Sequence, residues 1–170
     1  MNRVIIIGCP GSGKSTFARA LQSKTNLPLI YLDMLFWNAD RTTVSQEVFD
    51  QRLEKAMDGE CWIIDGNYSR TMEKRITACD TVFFLDYPTE VCLASIKNRR
   101  GQARPDMPWI EREDDADYEE FLTFVTDFKK DRRPQILDLL TKYPDKTLHH
   151  FTSREQAQHY LDETAAFKEE

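Results

Sequence analysis

The sequence contains no apolar run that approaches the ~18 residues of a membrane-spanning helix. A glycine-rich segment begins within a few residues of Met1, which leaves no room for a signal peptide. Basic residues are outnumbered, with 23 Lys and Arg against 29 Asp and Glu and a net charge of −6. Because such a chain repels a nucleic-acid backbone, we expect a cytoplasmic protein that binds neither DNA directly nor a membrane.

Cysteine and histidine are also scarce, with four and three residues. The cysteine spacing fits neither paired metal ligands nor a disulfide scaffold, and the histidines show no metal or catalytic spacing. No internal repeat, low-complexity tract or Gly/Ser-rich linker divides the 170 residues, a length typical of one domain. We therefore predict a single domain over residues 1–170, with reduced and mostly buried thiols.

The sequence does contain a complete phosphate-binding loop near its start. Four apolar residues, 4–7, lead into Gly-Cys-Pro-Gly-Ser-Gly-Lys-Ser-Thr, which fits the pattern G-x-x-x-x-G-K-[ST]. Backbone N–H groups of such a loop surround a polyphosphate, and the helix predicted to begin near Lys14 adds its positive end. Lys14 is predicted to reach the β and γ phosphates, and Ser15 to ligate Mg²⁺. The predicted cofactors are ATP and Mg²⁺. The predicted nucleotide-binding residues are Gly8, Pro10, Gly11, Ser12, Gly13, Lys14, Ser15 and Thr16.

Short apolar runs alternate with longer segments of helical period, the pattern of a parallel sheet flanked by helices. We predict an α/β fold whose five strands span residues 3–8, 29–32, 61–65, 81–85 and 147–151. Between the second and third strands, Thr43 and Gln46 indicate a capping box at the start of a helix that Gly59 ends. Ser153 and Gln156 indicate a second capping box before the last helix.

Three acids follow predicted strands, at the edge where ligands gather in open parallel sheets. Asp65 follows a Trp-Ile-Ile run and is our candidate for the Mg²⁺ shell, because carboxylate oxygens are preferred ligands of that ion. Asp33 follows Tyr-Leu and is our candidate for orienting or deprotonating the acceptor. Asp86 precedes Tyr-Pro and is interpreted as a helix-initiating or loop carboxylate.

Residues 99–117 interrupt the regular pattern with one glycine and two prolines among many charges. We interpret this segment as an Arg-rich lid. Arginines on a closing segment neutralise charge on a transferred phosphoryl group, and here the candidates are Arg99, Arg100 and Arg104. The alternative is that they are ordinary surface cations. The acidic run over 111–120 is interpreted as a solvated helix start.

The remaining candidates each leave two interpretations open. Arg70 can fork onto an acceptor anion, or it is a helix-surface cation. Trp37 and Trp109 can stack on an acceptor ring, whereas Trp62 is predicted to lie in the core. The basic cluster at 129–133 either sends an arginine back to the phosphates or forms a solvated helix face.

Taken together, the motifs resemble the adenylate-kinase-like P-loop kinases and, more closely, the group known as DNA topology modulation proteins. The resemblance covers nearly the whole chain and rests on residues 8–16, 31–37, 62–68, 104–108 and 133–134. It implies a three-layer P-loop NTPase fold with strand order 2-3-1-4-5. It also implies a small lid, which we place at about 99–117, and an acceptor-binding region at about 33–59.

The chain departs from adenylate kinases after the third strand, where Asp-Gly-Asn-Tyr-Ser-Arg replaces their Asp-Gly-Phe-Pro-Arg turn. This departure leaves the acceptor open. The leading hypothesis is a Mg²⁺-dependent kinase that moves the γ-phosphoryl group of ATP to a nucleotide or another small molecule. The alternatives are an ATP-dependent regulatory protein associated with DNA topology and a nucleoside triphosphatase. The catalytic candidates are Lys14, Asp33, Arg99, Arg100 and Arg104; the Mg²⁺ candidates are Ser15 and Asp65; the acceptor-binding candidates are Asp33, Trp37 and Arg70.

Overall fold

The structure, a computed structural model, describes residues 1–112 and 115–164. Its centre is a five-stranded parallel sheet with the order β2-β3-β1-β4-β5. The strands are β1 (Arg3–Gly8), β2 (Leu29–Tyr31), β3 (Trp62–Asp65), β4 (Thr81–Leu85) and β5 (Thr147–Phe151). The predicted α/β fold and strand order are therefore confirmed.

The described ranges contain eight helices. They are α1 (Lys14–Thr25), α2 (Leu32–Phe36), α3 (Gln46–Met57), α4 (Ser69–Ala78), α5 (Thr89–Arg99), α6 (Tyr118–Asp131), α7 (Arg133–Thr141) and α8 (Arg154–Glu163). Helix α1 begins directly behind the glycine-rich loop, as predicted. Pro134 lies in the first turn of α7, where its missing N–H has no helical partner to lose.

The core is formed around β1, β3 and β4, which are buried almost throughout. Continuous apolar runs such as residues 4–7 are what a parallel sheet covered on both faces requires. Phe17 of α1 packs against Phe83 with ring centroids 5.0 Å apart, and Trp62 is fully buried, as predicted. The carboxyl ends of β1 and β3 lie side by side, since Ile6 is opposite Asp65 in the strand register. This register brings Asp65 next to the glycine-rich loop.

The second strand is shorter than predicted. It ends at Tyr31, because Leu32 begins the short helix α2 and is fully buried. Asp33 therefore lies in the first turn of a helix rather than directly after a strand. The third strand likewise begins at Trp62, one residue later than predicted.

The predicted capping box of Thr43 and Gln46 is wrong. The N-cap of α3 is Ser45, whose hydroxyl accepts a hydrogen bond from the Val48 N–H at 3.3 Å. Thr43 instead forms an isolated antiparallel bridge with Trp37. This bridge closes the loop before α3 and leaves Ser45 as the residue at the helix entrance.

The second predicted capping box is half formed. The Ser153 hydroxyl caps α8 by accepting from the Gln156 N–H at 3.4 Å. The returning bond is different, because Gln156 Oε1 accepts from the N–H of Thr152 at 2.7 Å and not from that of Ser153. The glutamine therefore reaches one residue further back than the motif requires.

The four cysteines carry free thiols, with Cys61 partly exposed and the other three buried. The prediction of mostly buried thiols is confirmed. No helix in the described part of the chain is long and apolar enough to cross a membrane.

Residues 113 and 114 of the predicted lid and acidic run lie outside the described residues. Helix α6 begins after them, and Glu119 and Glu120 are exposed in its first turn. That part of the acidic run is a solvated helix start, as predicted, since acids in a first turn interact favourably with the helix dipole.

Candidate active site

The glycine-rich loop between β1 and α1 packs closely against two neighbouring elements. Gly8 has φ +151°, and a Cβ there would lie 2.3 Å from the carbonyl oxygen of Leu85. Gly11 has φ +82°, and its Cβ would lie 2.3 Å from the carbonyl oxygen of Cys92. Glycine tolerates these approaches, which curl the backbone in the way that presents N–H groups to an anion. The shape of the loop is therefore set by backbone packing.

The other predicted loop residues surround the start of α1. Pro10 is half-buried, Gly13 is the exposed N-cap of the helix, and Thr16 is exposed in its first turn. The Ser12 hydroxyl is buried and has no hydrogen-bond partner among the described residues. An unpaired buried hydroxyl carries a desolvation cost that a ligand oxygen would remove. Together with the positive end of the helix, this group suits an anion-binding loop.

Lys14 turns back over the loop from the first position of α1. Its Nζ donates to the carbonyl oxygens of Gly8 and Cys9 at 3.0 and 3.1 Å. Its charge also lowers the pKa values of Asp33 and Asp65, against the effect of burial. One ammonium group thus lies within electrostatic reach of the loop and of both strand-end acids.

Ser15 and Asp65 are in direct contact. The Ser15 hydroxyl donates to Asp65 Oδ2 at 2.5 Å. Asp65 is 5% exposed, and burial raises the pKa of its carboxyl to about 6, although Lys14 and the Ser15 hydrogen bond lower it. Its other oxygen, Oδ1, is buried without a hydrogen-bond partner in the described ranges. A hydroxyl beside a carboxylate oxygen that lacks a partner is a donor set that fits Mg²⁺.

This donor set alone cannot enclose a cation. Residues 1–112 and 115–164 contain no group of three or more His, Cys, Asp or Glu side chains able to hold a metal ion. Mg²⁺ is commonly bound by one or two protein groups, with waters and substrate phosphates as the other ligands. Ser15 and Asp65 therefore fit a cation that arrives with a nucleotide.

Asn67 joins the turn after β3 to the phosphate loop. The Gly8 N–H donates to Asn67 Oδ1 at 3.0 Å, and Asn67 Nδ2 donates to the Gly8 carbonyl at 2.7 Å. Both backbone polar groups of Gly8 are thereby satisfied by one amide side chain. The sequence predicts no role for Asn67, because no sequence pattern indicates which group an asparagine in a turn will bind.

Arg75 on α4 was also missed. It has no exposed surface, and its guanidinium donates to the carbonyls of Gly66 at 2.8 Å and Tyr68 at 3.2 Å, and to that of Asn67. Burial lowers its pKa to about 10. Its sequence position could have indicated this role. Arg75 lies on the apolar side of α4 with Met72, and a charged residue on that side needs buried hydrogen-bond partners.

Asp33 of α2 contacts the turn after β3 through Tyr68. Its Oδ1 accepts a hydrogen bond from the Tyr68 hydroxyl at 2.7 Å. Burial raises the pKa of Asp33, while the Tyr68 hydrogen bond, Lys14 and Arg104 lower it. The charge of Asp33 in turn raises the pKa of Asp65, so the two acids share one electrostatic environment at the sheet edge.

Trp37 connects the acceptor region to the lid. Its ring lies edge-to-face with Trp109, with centroids 5.8 Å apart. The Arg41 guanidinium lies 4.7 Å from the centroid of the same Trp109 ring, pairs with Asp115, and donates to the Ile110 carbonyl at 3.0 Å. The lid and the acceptor region are therefore in contact through aromatic and charged side chains.

The lid arginines are paired with lid carboxylates. Arg99 forms two hydrogen bonds of 2.8 Å with Glu111. Arg104 contacts Asp106 at 3.1 Å and Glu111 at 3.4 Å. The Arg100 guanidinium lies 4.6 Å from the ring centroid of Tyr118. Arg99 and Arg104 would have to exchange these carboxylates for phosphate oxygens if the lid contacts a nucleotide.

Arg70 is directed to the outer surface of the acceptor region. It pairs with Asp50 of α3 through hydrogen bonds of 2.9 and 2.5 Å, and its side chain is 48% exposed. It also lines a cavity of about 180 Å³ together with Phe36, Phe49 and Tyr68. The structure does not bring Arg70 into direct contact with Asp33.

Asp86 forms a separate cluster at the end of β4. Its buried carboxylate accepts from Arg133 Nε at 2.8 and 2.9 Å and lies 2.8 Å from His150 Nε2. Arg133 thus reaches back to a strand end, to a carboxylate of the protein. His150, for which the sequence predicts no role, is the third member of this cluster.

Comparisons with known proteins identify the fold. No protein-family model matches the sequence, and no curated protein is found as a relative. Among solved structures, a shikimate kinase from Bacteroides thetaiotaomicron is similar with TM-score 0.61 and 19% identity, over 95% of this chain and 94% of that chain. An unliganded sugar kinase from Janibacter sp. HTCC2649 is similar with TM-score 0.54 and 16% identity, over 95% and 91%. At these identities the likeness shows the fold alone: the chain shares the α/β fold of these two kinases.

Proposed function

We propose that this protein is a small-molecule kinase of the adenylate-kinase-like class, which transfers the γ-phosphoryl group of ATP to a hydroxyl-bearing acceptor. One observation carries the proposal: Lys14 reaches both the Ser15–Asp65 pair and the Asp33–Tyr68 pair electrostatically. The first pair suits a metal-bound nucleotide and the second suits a hydroxyl that loses its proton. The kinase fold of the two solved structures supports the same reaction class.

On the donor side, the loop amides and Lys14 hold the phosphates. Ser15 and Asp65 hold Mg²⁺, which supplies positive charge to the phosphate oxygens when bound. Phosphoryl transfer needs positioning and neutralisation of charge more than covalent participation by the protein. The contribution of Lys14 is therefore electrostatic.

On the acceptor side, Asp33 orients the acceptor hydroxyl and takes its proton. A raised pKa suits this role, because a base works best when its pKa approaches the working pH. Trp37 provides an aromatic surface for the acceptor, and Arg70 lies at the outer side of the region, where it can meet an anionic group of the acceptor. Arg99, Arg100 and Arg104 cover the transferring group when the lid binds phosphates.

The experiment that tests the proposal identifies the phosphorus-containing products of the reaction. The protein is incubated with ATP, Mg²⁺ and fractionated pools of small metabolites, and the products are identified by ³¹P NMR, with Lys14→Ala protein as the control. A new phosphomonoester resonance that appears together with ADP, and only with the unmutated protein, is the expected result. Inorganic phosphate without a phosphorylated acceptor would show a triphosphatase instead, and an unchanged ATP spectrum in every pool would contradict both.

A further inference from the structure

The turn after β3 holds the Tyr68 hydroxyl in a fixed position. Tyr68 has φ +41°, in the left-handed region that a tyrosine rarely adopts. Buried Arg75 holds this conformation by donating to the carbonyls of Gly66 and Tyr68, and Gly66 itself packs against Leu32, where a Cβ would lie 3.0 Å away. This backbone conformation costs free energy, so it persists only where the surrounding contacts hold it in place.

The ring of Tyr68 is also fixed on its faces and edges. It stacks on Phe49 at 5.0 Å between centroids, with an interplanar angle of 28°, and meets Phe36 edge-to-face at 5.2 Å. Phe49 is buried in α3, and Phe36 ends α2. The hydroxyl therefore has little freedom to leave Asp33, which lies on the same short helix as Phe36.

A chain of contacts leads from this hydroxyl to the lid. Tyr68 donates to Asp33 Oδ1 at 2.7 Å, and its ring meets Phe36, whose own ring lies edge-to-face with Trp37 at 5.4 Å between centroids. Trp37 lies against Trp109 of the lid at 5.8 Å between ring centroids. Each link joins a different part of the cleft: the turn after β3, helix α2 and its C-cap, and the lid.

We propose that Tyr68 is a positioning residue for Asp33, and that the relay Trp109–Trp37–Phe36–Tyr68–Asp33 makes the orientation of this carboxylate depend on the position of the lid. The proposal rests on the proposed kinase function, in which Asp33 receives the acceptor proton. With Oδ1 held by Tyr68, the other oxygen, Oδ2, is left to accept that proton. Tyr68 keeps its own proton throughout, because burial and the neighbouring Asp33 raise its pKa.

The charges around Asp33 do not replace this contact. Lys14 of α1 and Arg104 of the lid lower the pKa of Asp33, whereas Asp106 of the lid raises it, and Asp65 of β3 is a further nearby acid. These are long-range effects of both signs, which change the charge state of Asp33 but do not fix the direction of its oxygens. A short hydrogen bond to one oxygen does fix that direction.

The test uses Tyr68→Phe, which keeps the ring and removes the hydroxyl, and Tyr143→Phe as a matched control, because Tyr143 donates to the surface carboxylate of Glu73 at 2.9 Å. The readout is the titration of the Asp33 carboxyl carbon by ¹³C NMR in the protein without nucleotide, with the resonance assigned through Asp33→Asn. Loss of a hydrogen bond to the carboxylate should raise the Asp33 midpoint by on the order of one pH unit. The control should leave it unchanged.

An Asp33 midpoint that is the same in Tyr68→Phe and in the unmutated protein would overturn the proposal, as would an equal shift in Tyr143→Phe. This readout needs neither ATP nor acceptor, so its failure is distinct from failure of the kinase function. If Tyr68→Phe does not fold, Phe36→Leu removes the ring that meets Tyr68 edge-to-face, which loosens the hydroxyl and should shift the midpoint in the same direction by a smaller amount. No shift in that variant would equally overturn the relay.

The lid link has its own measurement. Trp109→Leu removes the ring that packs on Trp37 without touching Tyr68 or Asp33 directly, and the relay predicts a displaced Asp33 carboxyl resonance. An unchanged resonance would show that the relay stops at Tyr68. With an acceptor identified, Tyr68→Phe should lower kcat about 10-fold and move the acidic limb of the pH profile upward, since Asp33 must be ionised to accept a proton.

Discussion

In the proposed kinase, the phosphate loop takes its ligand-binding groups from one continuous segment, residues 8–16, whereas the acceptor side combines side chains from α2, the turn after β3 and the lid. In the loop, glycines press against Leu85 and Cys92 and the backbone itself is the binding surface. Around Asp33, by contrast, Tyr68 reaches the carboxylate by a side-chain hydrogen bond and is itself held by a buried arginine.

In this proposal, the difference shows how each half would achieve its specificity. A backbone cradle recognises what all nucleotides share, their phosphates, and tolerates changes in most of its side chains. An assembly of side chains can be shaped to one acceptor, but each member depends on its partners. Substitutions on the acceptor side should therefore change transfer without changing nucleotide binding.

The largest effect is expected for Asp33→Asn, which keeps the shape of the side chain but removes its charge and its capacity to take a proton. Transfer to the acceptor should fall by roughly 10² to 10⁴, the contribution typical of a general base. The measurement is the rate of acceptor phosphorylation at saturating ATP. Full transfer by a folded variant would remove Asp33 from the acceptor chemistry and direct attention to Arg70 or the lid.

A loss nearly as large is expected for Lys14→Ala, because we propose that the ammonium group stabilises charge that develops during transfer. The expected decrease in turnover is roughly 10² to 10³, as for removal of one electrostatic contact to a transition state. Lys55→Ala, on the exposed face of α3, serves as the control. Near-normal transfer by the Lys14 variant, confirmed to be folded by circular dichroism, would contradict the assignment.

Asp65→Asn should lose function and gain stability. Burial raises the folded-state pKa of Asp65 from 3.8 to about 6, so the folded state favours the protonated carboxyl. The stability contributed by Asp65 is therefore full below pH 3.8 and is lost as the pH rises through about 6. At about 1.4 kcal/mol per pKa unit, the cost of the ionised form reaches up to about 3 kcal/mol above that pH.

The measurement compares the free energies of unfolding of the two proteins without nucleotide or metal, from pH 4 to pH 8. Asp65→Asn should gain on the unmutated protein as the pH rises and melt several degrees higher at pH 8. If the difference in free energy of unfolding between the two proteins does not vary with pH, burial does not raise the pKa of Asp65. That result would contradict the prediction.

The smallest effect is expected for Arg70→Ala. The pair with Asp50 is exposed, so its removal should leave the stability of the fold nearly unchanged. If Arg70 meets the acceptor at the rim of the cleft, the KM for the acceptor rises by up to about 10-fold while kcat is retained. Steady-state kinetics decide this, and a large loss of kcat would place Arg70 at the reacting group instead.

The same contrast explains what could be predicted from sequence. The loop and its glycines, Lys14 and Ser15 are neighbours in the chain, so their spacing alone defines the cradle. Asp65 was predictable because an apolar strand ends at it. The Arg41–Asp115 pair was not, because it joins the predicted acceptor region to the predicted lid, and the Arg99–Glu111 pair was not, because its members lie 12 residues apart across an irregular segment.

Two further elements show why local rules fail here. Ser45 and Thr43 are both residue types that cap helices. Thr43 pairs with Trp37 in a β-bridge, so Ser45 is the N-cap, and no local sequence pattern indicates this bridge. Tyr68 adopts a left-handed conformation that its residue type disfavours, and the cause is Arg75, seven residues further along the chain. Both are cases in which tertiary contacts override local propensity.

The central claim, that Asp65 serves the nucleotide and Asp33 the acceptor, is tested most directly by calorimetric titration of ATP at a series of Mg²⁺ concentrations into Asp33→Asn and Asp65→Asn. Asp33→Asn should bind ATP within about threefold of the unmutated protein and show the same Mg²⁺ dependence. Asp65→Asn should need a higher Mg²⁺ concentration for the same affinity, because its lost charge belongs to the metal shell. If Asp33→Asn shows the metal defect and Asp65→Asn does not, the two sides of the cleft have been assigned the wrong way round.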